Sequence, residues 1–343
     1  MNIMSGCDVD PCIMSGTDVE FMHRIDTPKS TEVKVVNKSD ENVCKIDTPK
    51  SHDVKVFNSS DENVCKYVFF PTGAVIESVL YKYPTYNERT VICVSVQSGC
   101  PVGCTFCGTG GAFIRNLTPA EIVAQITYII NDKNIQPSHV GKFQIMFMSM
   151  GEPFLNYENV KEAILILHSK FPNAELLVST IAPNAMVITD FIKLSTRIKK
   201  IGLQFSIHKS TDDQRDQLIP FSRKLSLAEI RDYGVEWWNA TGRKPYCNYC
   251  IGAGDGSYQD FINLRNIFPP NVFAFTFSVV CESDESIKSS RDSNMDTIKN
   301  FTRLFNEECY DTRIFDPAGQ DDIGGGCGQL WYVQKHLRKG NTH

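Results

Sequence analysis

Between Thr90 and Val280 the chain alternates short apolar stretches with longer stretches of helical period, and this alternation limits the fold more than any other feature. Thr90 to Val96, Phe143 to Met148, Glu175 to Ser179, Ile201 to Ile207 and Asn271 to Val280 read as strands. The stretch opened by Thr118-Pro119-Ala120-Glu121, then Val160 to Ser169, Asp190 to Ser195 and Leu225 to Thr241, read as helices. The first of these starts with a Ser/Thr-x-x-Glu capping box and a proline where a missing N–H does no harm. Parallel strands need crossovers of about a dozen residues, and helices supply them. The pattern therefore predicts an α/β fold, a parallel sheet wholly or partly closed by outer helices, with a site at the C-terminal strand ends. Ahead of it, Tyr67 to Phe70, Pro71-Thr72-Gly73 and Ala74 to Tyr81 read as a hairpin.

A chain of 343 residues with 42% hydrophobic and 22% charged residues has the makeup of a globular protein. It holds no run of the ~18 apolar residues that would cross a bilayer. Its start, MNIMSGCDVDPC, lacks the basic and apolar segments of a secretory signal. The expectation is a cytoplasmic protein with no membrane partner.

The first 66 residues differ in texture from the rest. Arg24 to Lys45 (RIDTPKSTEVKVVNKSDENVCK) recurs as Lys45 to Lys66 (KIDTPKSHDVKVFNSSDENVCK) with a period of 21 residues. Residues 1–66 contain no Leu and no Trp and hold 8 Lys/Arg against 12 Asp/Glu, whereas the remainder holds 27 against 28. They are expected to form a repeat-containing N-terminal extension ahead of a body spanning residues 67–343. Alternation in Glu32-Val33-Lys34-Val35 and Asp53-Val54-Lys55-Val56 predicts short strands. Two copies are too few for a solenoid, so the repeat reads as a strand extension or as an arm for a partner. Neither part has the basic surplus of a dedicated nucleic-acid binder, so any such contact must use a local patch.

Thirteen cysteines without an export signal point to metal ligands or reactive thiols rather than a disulfide framework. Cys100-Pro-Val-Gly-Cys104-Thr-Phe-Cys107 places three thiols at spacings of four and three. Such a loop suits a [4Fe–4S] cube held by three cysteines, with the fourth iron open to a substrate's amino and carboxylate groups. The competing reading is a zinc site of four ligands, in which Cys247-Asn-Tyr-Cys250 would be one hook. Cys7, Cys12, Cys44, Cys65, Cys281 and Cys309 read as spare thiols.

The cysteine loop with an aromatic residue before its third cysteine resembles the radical S-adenosylmethionine (SAM) signature. Its context narrows the resemblance. Thr90-Val-Ile-Cys93-Val-Ser-Val-Gln-Ser-Gly-Cys100, Arg115-Asn-Leu-Thr-Pro-Ala-Glu-Ile, Met148-Ser-Met-Gly151-Glu152-Pro153, Ser206-Ile-His208 and Gly326-Cys327-Gly328-Gln329-Leu330 occur in that order. From about Tyr67 to the C-terminus, the chain resembles the RlmN/Cfr family of radical SAM RNA adenine methyltransferases. The resemblance implies a partial (β/α)6-type radical SAM barrel, here with a β-rich N-terminal extension. It implies that Cys100, Cys104 and Cys107 hold the [4Fe–4S] cluster and that SAM caps the open iron. Gly151 and Glu152 match a motif that receives the SAM ammonium, and Ser179, Ser206 and His208 match further SAM positions. Cys327 matches a methyl-carrying cysteine, Cys93 a resolving cysteine, and Glu77 a carboxylate that assists proton removal. A solvated hairpin glutamate is the other reading of Glu77. Gly324-Gly325-Gly326 would let the Cys327 loop swing. The implied partners are ribosomal or transfer RNA, modified at C2 or C8 of adenosine, and an electron donor such as flavodoxin or ferredoxin. The implied state is a monomer.

The chain departs from that family in three places. Its Leu-free start is not the family's helical N-terminal RNA-binding domain. Phe277-Ser278-Val279 stands where the family has an Asn-Pro strand end, leaving Ser278 as the SAM contact there. Cys247 to Gly256 lacks the family's usual acidic and apolar pattern. Two rival functions follow: the same radical chemistry on a protein, peptide or small molecule, and a zinc-stabilised binding module without catalysis.

Overall fold

Residues that alternate between two faces build one ten-stranded sheet. The computed structural model describes residues 54–280, 291–317, 319–326, 328–330, 332 and 335. Val54–Asn58 (β1), Val64–Phe69 (β2), Ile76–Tyr83 (β3) and Thr85–Cys93 (β4) form an antiparallel meander. Gln97–Gly99 (β5) and Phe113–Asn116 (β6) pair separately and frame the cysteine loop. From β4 onward the main sheet is parallel, through Lys142–Phe147 (β7), Glu175–Thr180 (β8), Ile201–Ser206 (β9), Tyr246–Ile251 (β10), Ala274–Val279 (β11) and Asp311–Phe315 (β12). Their spatial order follows the sequence, as right-handed crossovers between neighbouring strands produce.

The crossovers are helical. Pro119–Asp132 (α1), Tyr157–Lys170 (α2) and Ala185–Arg197 (α3) serve the first three, Asp212–Leu218 (α4) and Leu227–Thr241 (α5) share the fourth, and Tyr258–Ile267 (α6) and Arg291–Glu307 (α7) complete the set. A short helix, Gln320–Ile323 (α8), follows β12. Thr118 and Glu121 make the predicted capping box at the start of α1. β5, β6, β10, β12, α4, α6, α7 and α8 had no counterpart among the predicted elements. Six β/α units and a seventh parallel strand make the partial barrel that the sequence implied. No helix among the described residues is long and apolar enough to cross a membrane.

The second copy of the repeat belongs to this sheet. β1 and the start of β2 come from it, so the division at residue 66 cuts through a strand. The reason is local: Val64, Lys66 and Val68 stand opposite Tyr81, Val79 and Glu77, and all of β2 is buried. The first copy lies outside the described residues.

Outward faces of the strands carry the core against the helices. Phe275 and Phe277 of β11 meet Phe301 and Phe305 of α7, with ring centroids 4.5 Å apart for Phe275–Phe305, 5.3 Å for Phe277–Phe301 and 5.1 Å for Phe277–Phe305. Each such pair adds about 0.5–1.5 kcal/mol beyond its buried area. Phe305→Ala should therefore destabilise the chain by about 3–5 kcal/mol, read as a lower urea midpoint at constant slope.

Candidate active site

The inward faces line a cavity of about 310 Å³, within the range of small-molecule sites. Alternate residues reach it from every side: Val79, Tyr81 and Tyr83 from β3, Arg89, Val91 and Cys93 from β4, Gln204 and Ser206 from β9, and Thr276 and Ser278 from β11. Period-two alternation explains why Thr276 and Ser278 face in while Phe275 and Phe277 face out.

The cysteine loop sits at the C-terminal end of β4. Cys100 receives its place from an N–H bond to the Ala112 carbonyl at 2.8 Å, and the Cys107 N–H bonds the Cys104 carbonyl at 3.1 Å. Gly110 closes the loop so tightly that a Cβ there would lie 2.6 Å from the Cys104 carbonyl oxygen. All three cysteines are partly exposed. Burial and the neighbouring thiols push Cys100 and Cys104 upward, and Glu152 adds to the repulsion. Three thiolates can coexist here only with compensating positive charge, which the irons of a cube supply. Among the described residues no three His, Cys, Asp or Glu converge at the distance of one metal ion. What fits the cube is the donor set itself: three partly exposed thiols on one short loop, at spacings of four and three.

The zinc reading fails on strand geometry. Cys247 and Cys250 both lie in β10 with opposite parity, so they face opposite sides of the sheet and form no hook.

Gly151 has φ +96°, and a Cβ there would lie 2.6 Å from the Gln97 side chain, so only glycine fits. Glu152 follows, 4% exposed. Its Oε1 accepts from the Phe154 N–H at 3.0 Å and the Thr180 hydroxyl at 2.5 Å, and its Oε2 from the Ile181 N–H at 2.9 Å. Burial pushes its carboxyl up to about 7, against these three hydrogen bonds. Neither Gly151 nor Glu152 lines the cavity. The structure thus uses Glu152 first as a clamp between the ends of β7 and β8.

The other SAM candidates do meet. Ser179 Oγ and Ser206 Oγ are 3.1 Å apart, and Ser278 donates to Asn248 Oδ1 at 3.0 Å. His208 has the left-handed φ of +58°, uncommon outside glycine, and its Nδ1 accepts the Cys250 N–H at 3.3 Å. Burial, then Arg215 and Lys209, push His208 down to about 3, so it is neutral with Nε2 carrying the proton. Ser149 Oγ is buried in the same wall without a hydrogen-bond partner. Hydroxyls, two amides and a neutral imidazole lining the cavity suit a polar nucleoside. Ser149 and Asn248 escaped the sequence reading, which treated both as spacers between landmark residues.

Cys93 ends β4, is 6% exposed, and lines the cavity. Burial alone pushes its thiol up to about 12. Glu77 is not a solvated hairpin residue. Its side chain is fully buried, with Oε2 3.3 Å from Lys66 Nζ across the strand pair and Oε1 accepting the Tyr332 N–H at 2.8 Å. Burial raises Glu77 and lowers Lys66, and each partner's charge opposes the other's shift.

Cys327 lies outside the described residues, but its neighbours are placed. Gly325 and Gly326 line the cavity with Cys93. The expected freedom of these glycines is not what the structure shows. Gly325 packs where an added Cβ would lie 3.1 Å from Val64, and its carbonyl accepts from Tyr81 at 2.7 Å. The Gly108 N–H bonds the Gly328 carbonyl at 2.7 Å, and Thr109 bonds the Leu330 carbonyl at 2.7 Å, fastening the tail to the cysteine loop.

Comparison with known proteins agrees with this geometry. Residues 94–238 match the radical SAM superfamily. The probable dual-specificity RNA methyltransferase RlmN of Thermotoga neapolitana is 34% identical over 267 residues, covering 77% of this chain and 74% of that protein. Its counterpart in Heliobacterium modesticaldum is 30% identical over 266 residues, covering 75% and 67%. The crystal structure of a radical SAM methyltransferase from Sphaerobacter thermophilus superposes with a TM-score of 0.67 at 26% identity, over 81% of each chain. Identity sustained across three quarters of the chain, on a shared barrel, makes this protein a member of the RlmN family: a radical SAM methyltransferase that works with a [4Fe–4S] cluster and SAM.

Proposed function

We propose that the enzyme methylates a ring carbon of adenosine, C2 or C8, in ribosomal or transfer RNA, with Cys327 as methyl carrier and Cys93 as resolving thiol. The observation that carries this reading is the shared cavity: Cys93 opens onto the same space as Gly325 and Gly326, the residues leading into Cys327, and as Ser206 and His208. The register supports it, because Cys93 stands opposite Val79, the residue against which Gly325 packs.

When bound, the cluster and SAM supply a transferable methyl group and a carbon-centred radical. Cys100, Cys104 and Cys107 would hold the cluster. Gly151 and Glu152 would shape the loop that receives the SAM ammonium, with Ser149, Ser179, Ser206, His208, Asn248 and Ser278 offering hydrogen bonds to the rest of SAM. Cys327 would carry the methyl group as a thioether. One hydrogen atom of that methyl would pass to the carbon-centred radical, and the methylene so formed would join the base carbon. That carbon gives up its own hydrogen as a proton and one electron, the electron returning to the redox centre that supplied it. Glu77 takes the proton that the base carbon releases. Cys93 then attacks the Cys327 sulfur, freeing the methylated base and leaving a disulfide for an external dithiol to reduce. Burial keeps Cys93 a thiol at rest, and a thiol is a poor nucleophile. Flavodoxin or ferredoxin as electron donor, a monomeric state and a cytoplasmic address complete the proposal.

The test is mass spectrometry of nucleosides from cells with and without the protein, beside Cys327→Ala. A methyladenosine present with the wild type and absent with Cys327→Ala, at unchanged iron content, is the expected result. Methyladenosine persisting with Cys327→Ala would reject the carrier assignment. Unchanged RNA with the methyl label in a protein or small molecule would move the chemistry to another substrate.

A further inference from the structure

Among the described residues, Lys66 is a buried cation that the function described so far leaves unused. Lys66 closes the second repeat copy, as Lys45 closes the first, and its side chain is 3% exposed. Lys66 and Glu77 are diagonal neighbours on one face of the β2–β3 pair, a separation that a long side chain such as lysine spans. Besides Glu77, the ammonium donates to the Gly324 carbonyl at 3.1 Å. It also lies 5.9 Å from the Phe57 ring centroid and 5.5 Å from that of Tyr332, two rings that touch each other at 5.7 Å. Its partners therefore come from both sides of Cys327: Gly324 three residues before it, and Tyr332 five residues after. Glu77 repeats the grip through the Tyr332 N–H. A buried lysine on a surface repeat has no packing reason to be charged, and aliphatic residues fill such places more cheaply.

We propose that Lys66 is a positioning residue of this enzyme: it holds the segment that carries Cys327 at both ends and keeps Glu77 in place beside it. The inference rests on the reading of Cys327 as methyl carrier. Lys66 acts through Gly324, Tyr332 and Glu77, never on the substrate. The repeat copy acquires a purpose by this route, since its hairpin also grips α8, where the Ser60 N–H and hydroxyl both donate to Asp322 Oδ2 at 2.9 and 2.6 Å.

Two comparisons in the reconstituted full chain test the proposal. Lys66→Met should lower kcat for RNA methylation about 10²-fold while KM for RNA stays within about twofold, and Lys66→Arg should recover most of the loss. The second comparison reads the segment itself, by hydrogen exchange on peptides covering residues 324–332. Glu77→Gln leaves Lys66 buried without its counter-charge. Adding Lys66→Met removes that burden, so the double variant folds at least as well. Its segment should nevertheless exchange about tenfold faster than that of Glu77→Gln alone, the loss of a hydrogen bond from a charged donor. Wild-type kcat in Lys66→Met, or equal exchange in the two Glu77→Gln backgrounds, overturns the proposal. If Lys66→Met fails to fold, the exchange comparison decides. Failure of the underlying reading looks different: wild-type enzyme would show no methyl group on the Cys327 peptide, and the exchange comparison would still assign Lys66.

Discussion

Cys93→Ala is expected to stall after a single turnover and accumulate a covalent adduct between Cys327 and the substrate. Every earlier step leaves Cys93 untouched: the cluster loop begins seven residues later, and Cys93 lies on β4, three strands along the sheet from the Ser206 end of β9. What Cys93 alone supplies is the sulfur that displaces the product from Cys327. Without it the bond between the Cys327 methylene and the base has no nucleophile to release it. The adduct should appear as a mass shift on the Cys327 peptide at up to one equivalent per chain, and nuclease digestion of the attached material would identify the substrate. The competing view treats Cys93 as a strand cysteine packed between Val79 and Met146, its register partners. On that view the alanine variant loses some stability and keeps turning over. Full turnover with no adduct would eliminate the resolving role.

An equally large effect is expected from Cys104→Ala. The cube needs three protein ligands, and Cys104→Ala removes one sulfur while leaving the loop's backbone contacts in place: the Cys104 carbonyl still accepts the Cys107 N–H, and Gly110 still packs against it. Iron should fall from about four atoms per chain to a small residue, the brown colour should vanish, and SAM cleavage with it. The fold should survive, because Cys104 is only partly buried and packs at the margin of the small cluster of Val102, Ile181 and Ile219. A variant that loads a full complement of iron and cleaves SAM would show that the ligands lie elsewhere.

Much of this architecture was legible before any coordinates. Strands such as Ile201–Ser206 declared themselves because parallel strands under helices are buried on both faces and read as apolar runs. β10, TyrCysAsnTyrCysIle, did not, since it must place Asn248 in the cavity and its composition suggested a metal hook instead. The cysteine loop was legible because its ligands are close in sequence. Glu77 was singled out only through the family resemblance, and its pairing with Lys66 not at all: eleven positions apart, each resembles an ordinary hairpin or surface charge until strand pairing brings them together in the dry interior. Arg215 is a similar case. It is fully buried inside α4, with its guanidinium donating to the carbonyls of Leu225 and Ile181 at 2.6 and 2.7 Å, a demand that only the folded loops reveal. Glu152 was legible as a site residue, but its hydrogen bonds to Thr180 and Ile181, which tie two strand ends together, depend on contacts nearly thirty residues away.

The tandem duplication also makes the gene prone to a particular accident. Two near-identical 21-residue copies invite unequal recombination, and its in-frame product is a shorter protein with one hybrid copy. Where the exchange falls decides what the hybrid contains. A crossover in the upstream Ile-Asp-Thr-Pro-Lys-Ser preserves everything from Val54 onward, so the sheet edge and Lys66 keep their surroundings. A crossover in the downstream Ser-Asp-Glu-Asn-Val-Cys-Lys instead brings the first copy's Val36 and Lys38 to the places of Phe57 and Ser59. The first exchange removes the ring beside Lys66, and the second removes a hydroxyl that bonds Asp61 at 2.6 Å and accepts the Val64 N–H at 3.0 Å. Length variants in natural populations should therefore carry Phe and Ser at these two positions, with their breakpoints clustered on the upstream side.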